Sequence, residues 1–110
     1  MESKQLIEAT CPECRGPLTE DSSHGIHEYR CLVGHAYSPR TLLQAHSETQ
    51  ERTLWSAVVA LEEAANIVDF VSAEFSEDTV RHLREQAKKK LDQAAQIRNV
   101  LANLEQFQTD

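Results

Sequence analysis

None of the 71 residues after Pro39 is glycine or proline, and all three glycines and all three prolines lie at or before that position. These two residue types mark most turns and loops. Their absence confines the turn-rich part of the chain to its N-terminal end and divides the composition near Ser38. We therefore expect two parts, a small module at 1–37 and a helical part at 38–110.

Long apolar runs are also missing. No window approaches the roughly 18 apolar residues of a membrane span, and the start "MESKQLIEAT" lacks the basic residues and apolar run of a signal peptide. We therefore expect a cytoplasmic protein with no membrane partner. A length of 110 residues leaves room for one domain, or for a small module joined to a helical one, so we do not expect a two-domain enzyme.

Basic residues are scarce, with 11 against 18 acidic ones and a formal net charge of -7. Such a field repels phosphate backbones, so nucleic acid is a disfavoured partner. The imbalance includes the N-terminal part, where three bases (Lys4, Arg15, Arg30) face six acids: Glu2, Glu8, Glu13, Glu20, Asp21 and Glu28. A nucleic-acid-binding or transcription-related protein is therefore kept only as the alternative function.

Only three cysteines are present, and all lie between positions 11 and 31. Disulfides would leave one thiol unpaired, and a reducing cytosol disfavours them. With His35 they form the pattern C-x2-C-x16-C-x3-H, and zinc prefers four tetrahedral sulfur and nitrogen ligands supplied as two close pairs. The spacing predicts a zinc site at Cys11, Cys14, Cys31 and His35, with His24, His27 or His46 as alternative fourth ligands.

Three thiolates and an imidazole complete a tetrahedral shell and leave no position for a reactive water, so we expect a structural ion. A zinc deaminase places H-x-E before P-C-x-x-C, whereas here no H-x-E precedes the cysteine pair. A nucleophilic cysteine–histidine pair is the other catalytic alternative, but ligation would consume both groups. We therefore predict no catalytic residues and no enzymatic activity.

The predicted fold is mostly α with a small β part. "GPLTE" and "IHEYRC" are extended segments joined by a turn at 21–25, which predicts a short hairpin. Ser38 followed by Pro39 marks a helix start, as does Ser76 before Glu77 and Asp78. Two apolar series repeat every three or four residues and predict an antiparallel helical hairpin with helices at about 39–73 and 77–107. The series are Leu54, Ala57, Val58, Leu61, Ala64, Ala65, Val68 and Val71, then Val80, Leu83, Ala87, Leu91, Ala94, Ile97, Leu101 and Leu104.

Further apolar residues flank this stripe and make it wider than one helix pair needs. They form the predicted interaction surface: Trp55, Val59, Ile67, Phe70 and Val100. A four-helix bundle made by two chains, or another protein or domain, would cover them.

Three segments, "TCPECRGPL", "YRCLVGHAYSP" and "LLQAHSETQERTLWSAVVALEEAA", together resemble a known family over residues 10 to about 71. They are similar to the C-terminal zinc ribbon and helical extension of CheB-type chemotaxis protein-glutamate methylesterases. Arg15 of this chain stands where that extension frequently has a second glycine. The resemblance implies zinc ligation by Cys11, Cys14, Cys31 and His35. It does not carry over the enzyme, whose methylesterase domain lies upstream of the extension. We expect a zinc-stabilised interaction or scaffold module for chemotaxis-like or two-component signalling.

Overall fold

The computed structural model of the protein describes residues 4–22 and 25–108. Four short strands come first, and two long helices separated by one turn of 3-10 helix at Ser72–Glu74 follow. In chain order the elements are β1 (Lys4–Thr10), β2 (Pro17–Asp21), β3 (Glu28–Cys31), β4 (Ala36–Tyr37), α1 (Pro39–Val71) and α2 (Glu77–Ala102). The predicted fold class, a small β part followed by a helical hairpin, is confirmed.

The strands form one antiparallel sheet in the order β1-β2-β3-β4. β2 and β3 are the two predicted extended segments, and their register runs from Leu18 opposite Cys31 to Asp21 opposite Glu28. β3 begins at Glu28, two residues later than predicted. The predicted two-stranded hairpin is therefore the centre of a four-stranded sheet, enlarged by β1 and β4.

The sequence pattern predicted neither β4, which has two residues, nor the longer β1. Ile7 and Ala9 are partly buried and pack on the core from one face of the strand, whereas Leu6 is 67% exposed. Alternate residues of a strand point to opposite faces. Only two core-facing residues carry this alternation, and the register with β2 is irregular between Leu6 and Thr10. Pairing with β2, which the local pattern does not encode, gives this segment its structure.

The chain forms two compact units. The described residues up to Gln50, with those from Gln106 onwards, form the ribbon unit, and Glu51–Glu105 form the hairpin unit. The buried core of the ribbon unit is small and consists of Cys11, Leu18, Cys31 and Tyr37, against which Ile7, Ala9, Tyr29, Leu42 and Ala45 pack. Since two of these residues belong to α1, the ribbon unit includes the first turns of that helix.

Both helices begin at the predicted serines. The Ser38 hydroxyl accepts from the Thr41 backbone N–H at 3.1 Å, and the Ser38 N–H donates to the Thr41 hydroxyl at 2.9 Å. Ser76 accepts from the Thr79 N–H at 3.2 Å. Each cap supplies an acceptor to an N–H that has no partner inside the helix. The helix-start predictions are confirmed.

The helix ends differ from those predicted. α1 ends at Val71, two residues early, where the chain tightens into the 3-10 turn, and α2 ends at Ala102, five residues before the predicted end. Asn103 follows α2 as its C-cap, and its side-chain amide donates to the Asn99 carbonyl at 2.8 Å. This bond satisfies one of the last carbonyls of the helix. The apolar period of the sequence extends as far as Leu104, which lies beyond the end of the helix.

The two helices of the hairpin unit run antiparallel, because Arg98 pairs with Glu62 at 3.0 Å while Arg84 lies 3.8 Å from Asp69. Seven of the eight predicted stripe residues in each helix are buried or partly buried, with Val71 and Leu91 as the exceptions. Only three residues of this unit are buried: Val58, Ala65 and Ala94. Within the described part of the chain, neither helix combines the length and apolarity that a bilayer crossing requires.

Candidate metal centre

Two tight turns between strands hold the predicted ligands. The first knuckle, residues 11–16, joins β1 to β2, and the Cys11 N–H donates to the Gly16 carbonyl at 2.7 Å. The second knuckle, residues 31–35, joins β3 to β4, and the Cys31 N–H donates to the His35 carbonyl at 3.1 Å. Because β2 and β3 are paired, the two knuckles lie at the same end of the sheet.

The knuckles bring all four predicted ligands together. One ligand atom from each of Cys11, Cys14, Cys31 and His35 lies within 4.8 Å of all the others. The His35 Nδ1 atom is 3.2 Å from the Cys31 sulfur and 3.5 Å from the Cys11 sulfur. A tetrahedral ion bound by sulfur at about 2.3 Å and by nitrogen at about 2.0 Å separates its ligand atoms by about 3.5–3.8 Å. The cluster therefore has the composition and spacing to bind a metal ion.

The Cys31 thiol is surrounded by hydrogen-bond donors. Burial raises its pKa. The backbone N–H of His35, the Cys14 side chain and the N–H groups of Gly34 and Val33 lower the pKa by more than burial raises it, so that it lies at about 6. The His35 N–H lies 3.3 Å from the sulfur. Donors that favour the charged form of a thiol also favour metal binding, because the thiolate is the ligand. Cys31 is prepared to act as a thiolate.

The pKa values of the other two thiols shift in opposite directions. Burial raises the pKa of Cys11, but the Tyr37 hydroxyl and the Cys14 N–H outweigh burial, so this pKa lies below its ordinary value. The N–H of Gly16 lowers the pKa of Cys14, but burial and the sulfurs of Cys31 and Cys11 raise it overall. Three sulfurs this close repel one another when all are negative. A cation among them removes that repulsion, and this requirement agrees with a metal site.

Two knuckle residues have a positive φ angle. Gly34 has φ 110° and Arg15 has φ 66°. Glycine adopts these angles without strain, but an arginine Cβ makes the left-handed region costly. The Arg15 backbone N–H donates to the Cys11 carbonyl at 2.8 Å and closes the first knuckle.

Arg15→Gly is expected to stabilise the metal-loaded ribbon unit by about 0.5–1 kcal/mol, because relief of the left-handed strain exceeds the extra freedom of the unfolded glycine chain. Thermal unfolding of the metal-loaded protein measures the effect. Arg15→Ala is the matched control, since it removes the same side chain but keeps the Cβ. Equal unfolding midpoints for the alanine and glycine variants would show that the backbone angle contributes nothing.

A second layer of side chains contacts the cluster. Glu13 Oε2 lies 3.1 Å from His35 Nε2, and Glu13 Oε1 accepts from the Tyr37 hydroxyl at 2.8 Å. The same hydroxyl is 3.4 Å from the Cys11 sulfur. Burial raises the pKa of Tyr37, so this group remains a neutral hydroxyl. The bond to Cys31 is the main factor that raises the pKa of His35.

Sequence spacing did not identify Glu13 or Tyr37 as members of the site. Glu13 stands between Pro12 and Cys14 in the first cysteine pair, and Tyr37 stands two residues after His35. Ligand spacing constrains only the residues that bind the ion, so it carried no signal for either side chain.

The alternative histidines have other partners. His27 Nδ1 lies 2.9 Å from the Glu20 carboxylate on the ribbon surface, and His46 Nε2 lies 3.1 Å from the Thr10 carbonyl. Neither belongs to the cluster, and His24 lies outside the described residues. His46 and its α1 neighbour Thr49, which donates to the Pro12 carbonyl at 3.3 Å, bind the backbone on either side of Cys11.

The predicted interaction surface belongs to the hairpin unit. Its five residues are 43–85% exposed, with Phe70 the most exposed. The Arg98 guanidinium lies 5.3 Å from the centre of the Trp55 ring and donates two hydrogen bonds to Glu62, at 3.0 and 3.1 Å. The ion pair places the guanidinium against the indole, and the cation–π contact favours this orientation of the ring at the surface.

Comparisons of the chain with protein-family models, with curated proteins and with solved structures give no match. The resemblance to the CheB-type extension therefore stays a prediction, and the chemistry of the site is argued from its own geometry.

Proposed function

We propose that the protein is a non-enzymatic interaction module in which a structural zinc ion folds the ribbon unit and the hairpin unit binds a protein partner. The observation that carries the proposal is the gathering of Cys11, Cys14, Cys31 and His35 within 4.8 Å. Two of these ligands, Cys11 and Cys31, are also half of the four buried core residues of the ribbon unit. So small an apolar core does not offset the entropy of ordering the chain, and a bound ion supplies the missing stability.

The donor set supports zinc and a structural role. Three thiolates and one imidazole suit zinc better than the oxygen-preferring ions magnesium and calcium. The same four groups complete a tetrahedral shell, which leaves no position for an activated water. Within the described part of the chain, no second group of three or more potential ligands is present. We accordingly assign no catalytic role to the site.

The hairpin unit supplies the proposed docking surface. Trp55, which contacts the Arg98 guanidinium, is an aromatic residue at the surface, and Phe70 is 85% exposed. Aromatic residues of this kind dominate the energetics of many protein interfaces. Only three residues of the hairpin unit are buried, so its own core is thin and a partner helix would add to it. A second copy of the chain would complete a four-helix bundle.

The pathway part of the proposal rests on the sequence resemblance alone. The segments similar to the CheB-type extension favour a partner in chemotaxis-like or two-component signalling, in the cytoplasm. The acidic charge of the ribbon unit disfavours the alternative, a zinc ribbon that binds nucleic acid. Arg30 is paired with Glu28, and the unit carries the further acids Glu8, Glu20 and Asp21.

Elemental analysis combined with light scattering tests the proposal. Elemental analysis should find one zinc ion per chain of 12.4 kDa. Light scattering should give twice that mass if the chain associates with itself. A monomeric mass should be accompanied by binding to another signalling protein. A protein that neither retains zinc nor takes it up would overturn the structural site. Salt-sensitive binding to DNA or RNA would instead support the nucleic-acid alternative.

A further inference from the structure

The carboxylate of Glu13 joins the metal cluster to the core of the ribbon unit. We infer that Glu13 is a positioning residue, which holds the His35 ring with Nδ1 towards the thiols and so strengthens metal binding. The inference rests on the proposed zinc site and adds a residue that binds no metal itself.

Each oxygen of Glu13 has its own partner. Oε2 lies 3.1 Å from His35 Nε2, and Oε1 accepts from the Tyr37 hydroxyl at 2.8 Å. An Nε2–H that donates to a carboxylate leaves the lone pair of the neutral ring on Nδ1. That nitrogen faces the sulfurs of Cys31 and Cys11, at 3.2 and 3.5 Å. A carboxylate behind a ligating histidine orients the ring and increases its basicity towards the ion.

A hydrogen bond from Tyr37 orients the accessible carboxylate of Glu13. The Glu13 side chain is 57% exposed, so water competes for it. The Tyr37 side chain is part of the buried core, and its hydroxyl also lies 3.4 Å from the Cys11 sulfur. The hydroxyl thus fixes one oxygen of Glu13 and leaves the other directed at His35.

Competition with a zinc chelator measures the effect. Glu13→Ala is expected to weaken zinc binding about tenfold, the lower end of the range for such outer contacts, because the carboxylate is partly solvated. The zinc affinity of Glu13→Gln should lie between those of Glu13→Ala and the wild type, because the amide oxygen accepts from one of the two donors while the NH₂ group faces the other. Glu20→Ala is the matched control: it removes the carboxylate–imidazole contact with His27, at 2.9 Å, and is expected to leave zinc affinity unchanged.

The imidazole resonances give a readout that stability alone would not move. In the zinc-loaded wild type we expect a protected His35 Nε2–H signal in proton–nitrogen correlation spectra, and faster exchange of that proton with water in Glu13→Ala. Zinc bound at Nε2, equal affinities of wild type and Glu13→Ala, or an equal loss in Glu20→Ala would each overturn the inference. If the wild type itself binds no zinc, the zinc site fails; if it binds zinc and Glu13→Ala matches it, only the role of Glu13 fails.

Discussion

Cys31→Ser is expected to abolish stoichiometric zinc binding and to unfold the ribbon unit. Cys31 is buried, and its sulfur accepts from the backbone of the second knuckle. A serine hydroxyl is not ionised at neutral pH and is a poor zinc ligand. Because a structural zinc site contributes on the order of 10 kcal/mol to folding, the loss exceeds what the small core of this unit can offset. Zinc content and the dispersion of amide resonances measure the two effects.

His27→Ala is the matched control for Cys31→Ser, because His27 lies on the same unit but contacts Glu20 instead of the cluster. This variant should keep one zinc ion per chain and a folded ribbon. A strong chelator should unfold the wild-type ribbon, and added zinc should restore the wild type but not Cys31→Ser. If Cys31→Ser retained full zinc content and dispersed ribbon resonances, Cys31 would not be a ligand and the site would have to be reassigned.

The parts of the structure that depend on local chemistry were predictable from the sequence. Zinc ligands on a short chain usually occur as two close pairs, so the spacing predicted a cluster of Cys11, Cys14, Cys31 and His35. The structure places these four residues together. Helix starts need a side-chain acceptor, and Ser38 and Ser76 both supply it. The helical period identified the buried faces because one stripe in each helix must leave water.

The features that depend on tertiary pairing were not predictable. β1 has only Ile7 and Ala9 on its core face, too few for an alternating pattern to be recognised. The carboxylate of Glu13 contacts His35 from 22 positions earlier in the chain, and no spacing rule connects these residue types. α2 ends at Ala102, where the Asn103 side chain caps the Asn99 carbonyl, whereas the apolar period runs on to Leu104.

The thin core of the hairpin unit makes its stability sensitive to single changes. Val58 is fully buried, with 0% of its surface exposed, and is one of only three buried residues of the unit. Val58→Asp is expected to unfold the hairpin, because an unpaired carboxylate in the core costs several kcal/mol. That penalty is comparable with the total stability of about 5 kcal/mol at the lower end for small domains. Thermal unfolding followed by circular dichroism at the helical bands measures the loss.

The adjacent substitution Val59→Asp separates the core from the docking surface. Val59 is 49% exposed, and valine and aspartate have similar helix propensities, so the same chemical change one residue later should alter stability by only about 0.5 kcal/mol. If the exposed apolar residues form the proposed interface, Val59→Asp must nevertheless place a charge in it, and light scattering should then show loss of self-association or of partner binding. Equal destabilisation by both variants would make Val59 a core residue. A stable Val59→Asp protein with unchanged association would instead locate the interface on another surface of the chain.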